Sequence, residues 1–244
     1  LPICGFIKTG LGKRIAYNLI SAFGSSSLRL AYALALSDLI LAPATPSNTA
    51  RVGGVIMPIT TSLAKAFGSE PQDGPRKIGS FLMQSIYQVN TITSAMFQTS
   101  MAGNTLVAAL ALQSFGIGIT WGDWAMAAIV PGIIALIIMP YFIYKVYPPE
   151  IKDAREAQQM IREELKGLGK ISFQEWVMLG VFILALVLWA TSQFTKLDAT
   201  TVAFLGISIL LATGVLIWDD VKSEKGAWDT LVWMGKIGRA SCRE

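Results

Sequence analysis

A chain of 244 residues that is 53% hydrophobic and 15% charged, with a mean hydropathy of +0.53, falls well short of the roughly one-quarter charged residues of a soluble domain. Its net charge of +4 is spread between apolar runs, not gathered into a phosphate-binding track, which excludes a nucleic-acid partner. Histidine is absent and the two cysteines, Cys4 and Cys242, stand at opposite ends; His-dependent triads, His-ligated metals and a disulfide framework are excluded, leaving a polytopic protein of the lipid bilayer.

Residues 1–7 read as the end of a helix that begins upstream, with no initiator Met or cleavage site. Residues 9–23 set Lys13, Arg14 and Asn18 against Leu11, Ile15, Leu19 and Ile20, the pattern of an interfacial amphipathic helix. Residues 28–42 are apolar, but about 15 residues at 1.5 Å each reach about 22 Å, short of a hydrocarbon core of about 30 Å. Pro43 and Pro46 then end helical pairing, and residues 50–67 return, loosened by Gly53, Gly54 and Pro58. A short arm, a polar tip and a returning arm predict a re-entrant hairpin over 28–67. Such backbone is tolerated at membrane depth only inside protein or against a water-filled cavity.

Residues 78–112 are long enough to span, yet carry Gln84, Gln88, Asn90, Thr93, Gln98 and Asn104. A buried, broken helix is expected, with Gly103 and Asn104 as candidates for the break or, for Gly103, a close helix packing. Residues 124–147 are a span containing Pro131 and Pro140. Residues 150–174 are dense in charge and predict a short amphipathic surface helix, with the run 155–166 as a solvated face. Residues 176–194 and 199–218 are further spans, and 228–235 begin another element. The run KIGRASCRE at 236–244 departs abruptly from this pattern. Its IGRASCRE resembles one reading frame of a sequencing adapter, with a basic cytoplasmic tail as the alternative, so 236–244 are set aside.

Lys and Arg set the orientation. Lys8, Lys13, Arg14, Lys65, Arg76, Lys77, Lys222 and Lys225 share a side with 150–174, whereas 114–123 carry none and the opposite turn only Lys196. The first side is therefore expected to be cytoplasmic. Trp121, Trp124, Tyr141, Tyr144, Tyr147, Trp176 and Trp218 fall near span ends as aromatic-belt anchors. Cys4 reads as an inert thiol. Asp38, a charge inside an apolar arm, is expected to pair with Arg29 or Arg51 or to shape a cation site. Arg51 either draws a dianion inward or meets a headgroup or carboxylate. Gln84, Gln88 and Thr91 either line a pathway or bond between helices.

At the tip, Ser47 and Thr49 offer hydroxyls and Asn48 a carbonyl and an NH2. Oxygen atoms there suit a hard monovalent cation, and free N–H groups at a returning helix start suit a carboxylate. Broken helices near the midplane place both ligands together in secondary transporters. Ser-Asn-Thr is also a common N-cap, and the two readings are compatible.

SDLILAPATPSNTARVGGVIMPI resembles the first signature hairpin of the divalent anion:sodium symporter family, and the resemblance runs over nearly all of 1–235 through MAGNTLVAALA, WAMAAIVPG, YKVYPPEIKD, TTVAFLGISILLATGVLIWDDV and EKGAWDTLVW. The branch is that of bacterial citrate/succinate and tartrate/succinate exchangers and plastid 2-oxoglutarate/malate translocators. It implies an all-α inverted-repeat secondary transporter of the bacterial inner membrane, homodimeric, not an enzyme, with sodium as the candidate coupling ion and no other cofactor. Carried over residue by residue, Asn48 and Thr49 face a substrate carboxylate, while Ser47, Asn48, Gly103 and Asn104 ligate sodium. Residues 1–147 are then an N-terminal repeat fragment, 148–175 a cytoplasmic loop and 176–235 the start of a second repeat whose own Ser-Asn-Thr hairpin is not in this sequence. Two other classes compete with a carrier of di- and tricarboxylate anions. A polytopic enzyme or receptor lacks a nucleophile–base pair within the spans, and a channel lacks a filter-like carbonyl repeat.

Overall fold

The structure, a computed structural model, describes residues 2–223 and Val232. The element expected at 228–235, Lys225 and the run 236–244 lie outside the described residues. The described chain is helical: α1 (Pro2–Thr9), α2 (Leu11–Phe23), α3 (Ser27–Leu41), α4 (Asn48–Arg51), α5 (Met57–Ala66), α6 (Gly79–Met96), α7 (Ala102–Phe115), α8 (Trp121–Val146), α9 (Arg155–Gly167), α10 (Phe173–Ala190), α11 (Ser192–Thr195), α12 (Ala199–Ala212) and α13 (Trp218–Ser223). Among the described residues, three helical stretches, 27–44, 121–146 and 173–190, are long and apolar enough to cross a membrane.

Several helix starts follow chemistry visible in the sequence. The Ser26 hydroxyl accepts from the Arg29 N–H to open α3; Thr120 with Asp123 and Ser172 with Glu175 form reciprocal boxes at α8 and α10; Asp198 accepts from Thr200 and Thr201 to open α12. Gly10, at φ +77°, turns α1 into α2 in the left-handed region where a side chain is strained.

One face is sewn together by backbone. Ser27 N–H donates to Lys152 O at 3.0 Å, Ala154 N–H to Ser25 O at 3.2 Å, Glu150 N–H to Arg76 O at 3.1 Å and Ile151 N–H to Lys77 O at 2.9 Å. The Lys77 ammonium donates to Gly68 O just past α5. Both ends of the 27–66 hairpin, the start of α6 and the end of α8 therefore share the face that carries 150–155, which is the arrangement the basic residues imply. On that face α2 buries Leu11, Ala16, Tyr17 and Ile20 and packs on α3 and α9.

Arg14 is buried among these helices. Its Nε donates to Glu175 Oε1 at 2.6 Å, its Nη2 to Oε2 at 3.2 Å, and its remaining donors to the carbonyls of Leu168 and Gly169. Glu175 also accepts from the Ser172 N–H, so one carboxylate both caps α10 and pins α2.

Several expectations change. The first arm extends through a 3-10 turn to Ala44, and its 18 residues match the span criteria, because Ser26 starts it earlier and Pro43 fits a tight turn. Arm length alone thus does not separate a re-entrant from a crossing hairpin. The run 155–166 is not wholly solvated: Ala157, Gln158 and Ile161 dock on α2, and Gln158 and Arg162 donate to Ser21 O. α6 is not buried all round, since Gln84, Tyr87 and Thr91 share an exposed face. Trp121 is 9% exposed and does not serve as a belt residue.

Candidate functional site

The hairpin tip meets a break in the long polar helix. α3 ends in the 3-10 turn Ala42–Ala44, and the chain resumes as α4, a π-helical turn at Val52–Ile56 and α5. The Ser47 hydroxyl accepts from the Ala50 N–H at 3.2 Å, and Asn48 Oδ1 accepts from the Thr49 N–H at 2.9 Å. The capping reading therefore holds for Ser47, which is the N-cap of α4, whereas Asn48 is its first residue. Asn48 Nδ2 faces Met101 Sδ at 3.9 Å, a weak acceptor, and Asn48 is half-buried while Thr49 is exposed.

The break lies at 97–101, where Phe97 and Met101 are extended around the 3-10 turn Gln98–Ser100. Gly103 is not its cause; it sits in the first turn of α7. Side chains close the accounts of the interrupted helix instead. Ser94 O accepts from the Ser100 hydroxyl at 2.6 Å and Asn104 Nδ2 at 2.7 Å; Phe97 O accepts from the same two groups; Ala95 O accepts from the Trp124 indole at 2.9 Å. Asn104 thus turns its amide onto α6 carbonyls and holds the break open.

Arg51 joins tip to break. It is 0% exposed, and its Nε donates to Asp38 Oδ1 at 2.8 Å. Nη1 donates to Thr45 O, the Thr45 hydroxyl and Ser100 O, while Nη2 donates to Asn90 Oδ1, the Thr93 hydroxyl and the Ser94 hydroxyl. The Thr93 hydroxyl in turn donates to the other oxygen of Asp38. One guanidinium ties both hairpin arms to α6, so Asp38 pairs with Arg51 and not with Arg29, whose side chain bonds Ser25. The planar fork suits this better than an ammonium, which offers fewer donors.

Trp121, expected at the membrane surface, is the residue that sequence reasoning misplaced here. Its ring stacks between Phe97 (5.7 Å, 16°) and Trp189 (6.2 Å, 18°), beside a cavity of about 490 Å³ that Gln98, Ser192 and Lys196 help to line. No cluster of acidic or sulfur ligands for a metal occurs among the described residues.

Apolar spans enclosing a non-helical tip and an interrupted helix define a helical membrane protein with a buried polar centre of the kind that transporters use. The family is then given by comparison. Residues 3–241 match the model of the sodium:sulfate symporter transmembrane region, and the chain belongs to that family of membrane transporters, as the hairpin motif led us to expect. It is 53% identical to the "Putative malate transporter YflS" of Bacillus subtilis (strain 168) over 96% of this chain and 49% of that protein. It is 47% identical to the inner membrane protein YbhI of Escherichia coli (strain K12), over 95% of this chain and 48% of that protein. It is 46% identical to the chloroplastic dicarboxylate transporter 1 of Spinacia oleracea, over 96% and 41% respectively. The chain thus spans about half the length of these curated relatives.

Proposed function

We propose that the whole protein is a secondary transporter that moves dicarboxylates such as malate, succinate or 2-oxoglutarate, and by branch resemblance citrate or tartrate, across a bacterial inner membrane by alternating access. The observation that carries this reading is the placement of Asn48. Its carbonyl oxygen is held by the Thr49 N–H, so its NH2 is oriented, and among the described residues the acceptor it faces is a thioether. An oriented amide donor at the start of the helical run 48–66 is suited to a carboxylate. Thr49 is exposed beside it, with its hydroxyl 3.5 Å from the same Asn48 oxygen. Burial of Pro43, Thr45 and Arg51, on either side of the tip, and their contacts with Thr99 and Ser100 of the break support a re-entrant hairpin, since the chain flanking the tip is covered by protein.

On this reading Ser47, Asn48, Gly103 and Asn104 remain the candidate sodium ligands. We favour carboxylate exchange over sodium coupling, because the Arg51 guanidinium already takes the Thr45 and Ser100 carbonyls between tip and break. The exposed face of Gln84, Tyr87 and Thr91 is assigned to contact with a second, inverted half that begins near 176 and brings its own Ser-Asn-Thr hairpin. A homodimer is proposed for the whole protein from the family resemblance. Counterflow of labelled malate into proteoliposomes containing the full-length protein tests the reading. Internal unlabelled malate should accelerate uptake, and choline in place of sodium should leave the rate unchanged. Uptake indifferent to internal malate would reject a carrier.

The same reading predicts topology. Glu163, exposed on α9, replaced by cysteine in a version lacking native cysteines, should resist an impermeant thiol reagent applied outside intact cells, whereas Ser114→Cys should react. External reaction at position 163 would invert the assignment.

A further inference from the structure

Pro46 leaves a mark on the tip beyond ending a helix. In a 3-10 turn a carbonyl's donor lies three residues on, and in Ala42–Ala44 Thr45 N–H donates to Ala42 O at 3.3 Å. The donor for Pro43 O would be residue 46, and proline has no N–H. The next N–H, that of Ser47, belongs to an extended residue at φ −129°. A buried carbonyl without a partner is costly, and this one sits immediately before the Ser-Asn-Thr tip.

The missing donor comes from the break. The Thr99 hydroxyl donates to Pro43 O, and the Trp121 indole Nε1–H donates to Thr99 Oγ1 at 2.9 Å. A threonine hydroxyl has one proton and two lone pairs, so the indole bond commits its proton to Pro43. Thr99 is 7% exposed and Trp121 9% exposed, so both partners of the bond are largely covered by protein. The stack of Phe97, Trp121 and Trp189 holds the indole plane, and Trp189 is itself fixed by a bond from its Nε1 to Ala199 O at 3.3 Å.

We propose that Trp121 and Thr99 are positioning residues for the carboxylate site. The indole sets the Thr99 rotamer, Thr99 sets the Pro43 carbonyl, and that carbonyl fixes the entry of the chain into Ser47, Asn48 and Thr49. Arg51 holds the tip from the hairpin's inner side, and the Trp121–Thr99 relay holds it from the break. The inference rests on the reading of the tip as the carboxylate site. It goes further in tying that site to α10 through Trp189.

The test uses full-length protein carrying Thr99→Val, Thr99→Ser, Trp121→Phe, and Thr99→Val with Trp121→Phe. Two readouts are taken: backbone amide exchange of residues 44–50 and the KM and maximal rate of malate counterflow. Thr99→Val and Trp121→Phe should each speed amide exchange at the tip and raise KM by about tenfold, the size of one buried hydrogen bond, with maximal rate little changed. The double variant should be no worse than Thr99→Val, because both changes break one relay. Thr99→Ser, which keeps the hydroxyl, should behave as wild type in both readouts. Wild-type amide exchange at 44–50 in Thr99→Val would overturn the relay. Failure of the transport reading would show separately, as malate counterflow unaffected by Asn48→Ala, while the amide exchange still decides whether the relay exists.

Discussion

Arg51→Gln in the full-length protein is expected to lower stability by about 3–5 kcal/mol, enough to lose most of the folded transporter. The cost comes less from the lost bonds than from what remains. Asp38 is 1% exposed and would keep only the Thr93 hydroxyl, leaving a charge in an apolar arm without its counter-ion. Asn90, Ser94 and the Thr45 and Ser100 carbonyls would lose their shared donor as well. Arg51→Lys should also fail in large part, because an ammonium cannot reach Asp38, the tip and α6 together. Removing both charges, as Asp38→Asn with Arg51→Gln, should recover a substantial part of the loss, since no buried charge is stranded. Thermal unfolding of the purified variants, followed by size-exclusion chromatography, measures all three. An Arg51→Gln protein as stable as wild type would show that the guanidinium is not what joins hairpin to break.

The residues explain why some of this was legible in the sequence and some was not. Local rules carried the hairpin: Pro43 and Pro46 end one helix, Ser47 caps the next, and both are properties of a few neighbouring residues. The charged partner of Asp38 lies 13 positions away across the tip, close enough to be one of two named candidates. The break was expected at Gly103 or Asn104, where the glycine drew attention, and lies just before them at 97–101. The cause is a set of donors, Ser100, Asn104 and Trp124, that meet α6 carbonyls only in three dimensions. Arg14 and Glu175 are 161 positions apart, and nothing along the chain pairs them. Trp121 illustrates a different limit. A tryptophan near a span end has the composition of a belt anchor, yet its neighbours Phe97 and Trp189 come from other helices and bury it. Tip chemistry was therefore readable, whereas the scaffold that holds the tip was not.

Asn48→Asp should separate a binding tip from one that merely caps a helix. Asn48 Oδ1 accepts from the Thr49 N–H, and an aspartate oxygen can accept the same bond, so the local turn and membrane abundance should survive. What changes is the group facing the site: the NH2 donor becomes a carboxylate oxygen. Two negative charges about 4 Å apart at an effective dielectric of about 20 repel by about 4 kcal/mol, or about a thousandfold in affinity. Arg51 does not offset this, because its charge is already paired with Asp38 behind the tip. Malate counterflow by full-length Asn48→Asp at neutral pH should therefore fall below detection at substrate concentrations that saturate the wild type. Asn48→Ala, which removes the donor without adding charge, should be impaired but less severely, with activity regained at high malate. The ordering of the two variants is the decisive feature. Equal affinity for malate in wild type and Asn48→Asp would mean that the substrate carboxylate lies elsewhere and that Ser47, Asn48 and Thr49 serve only to start the returning helix.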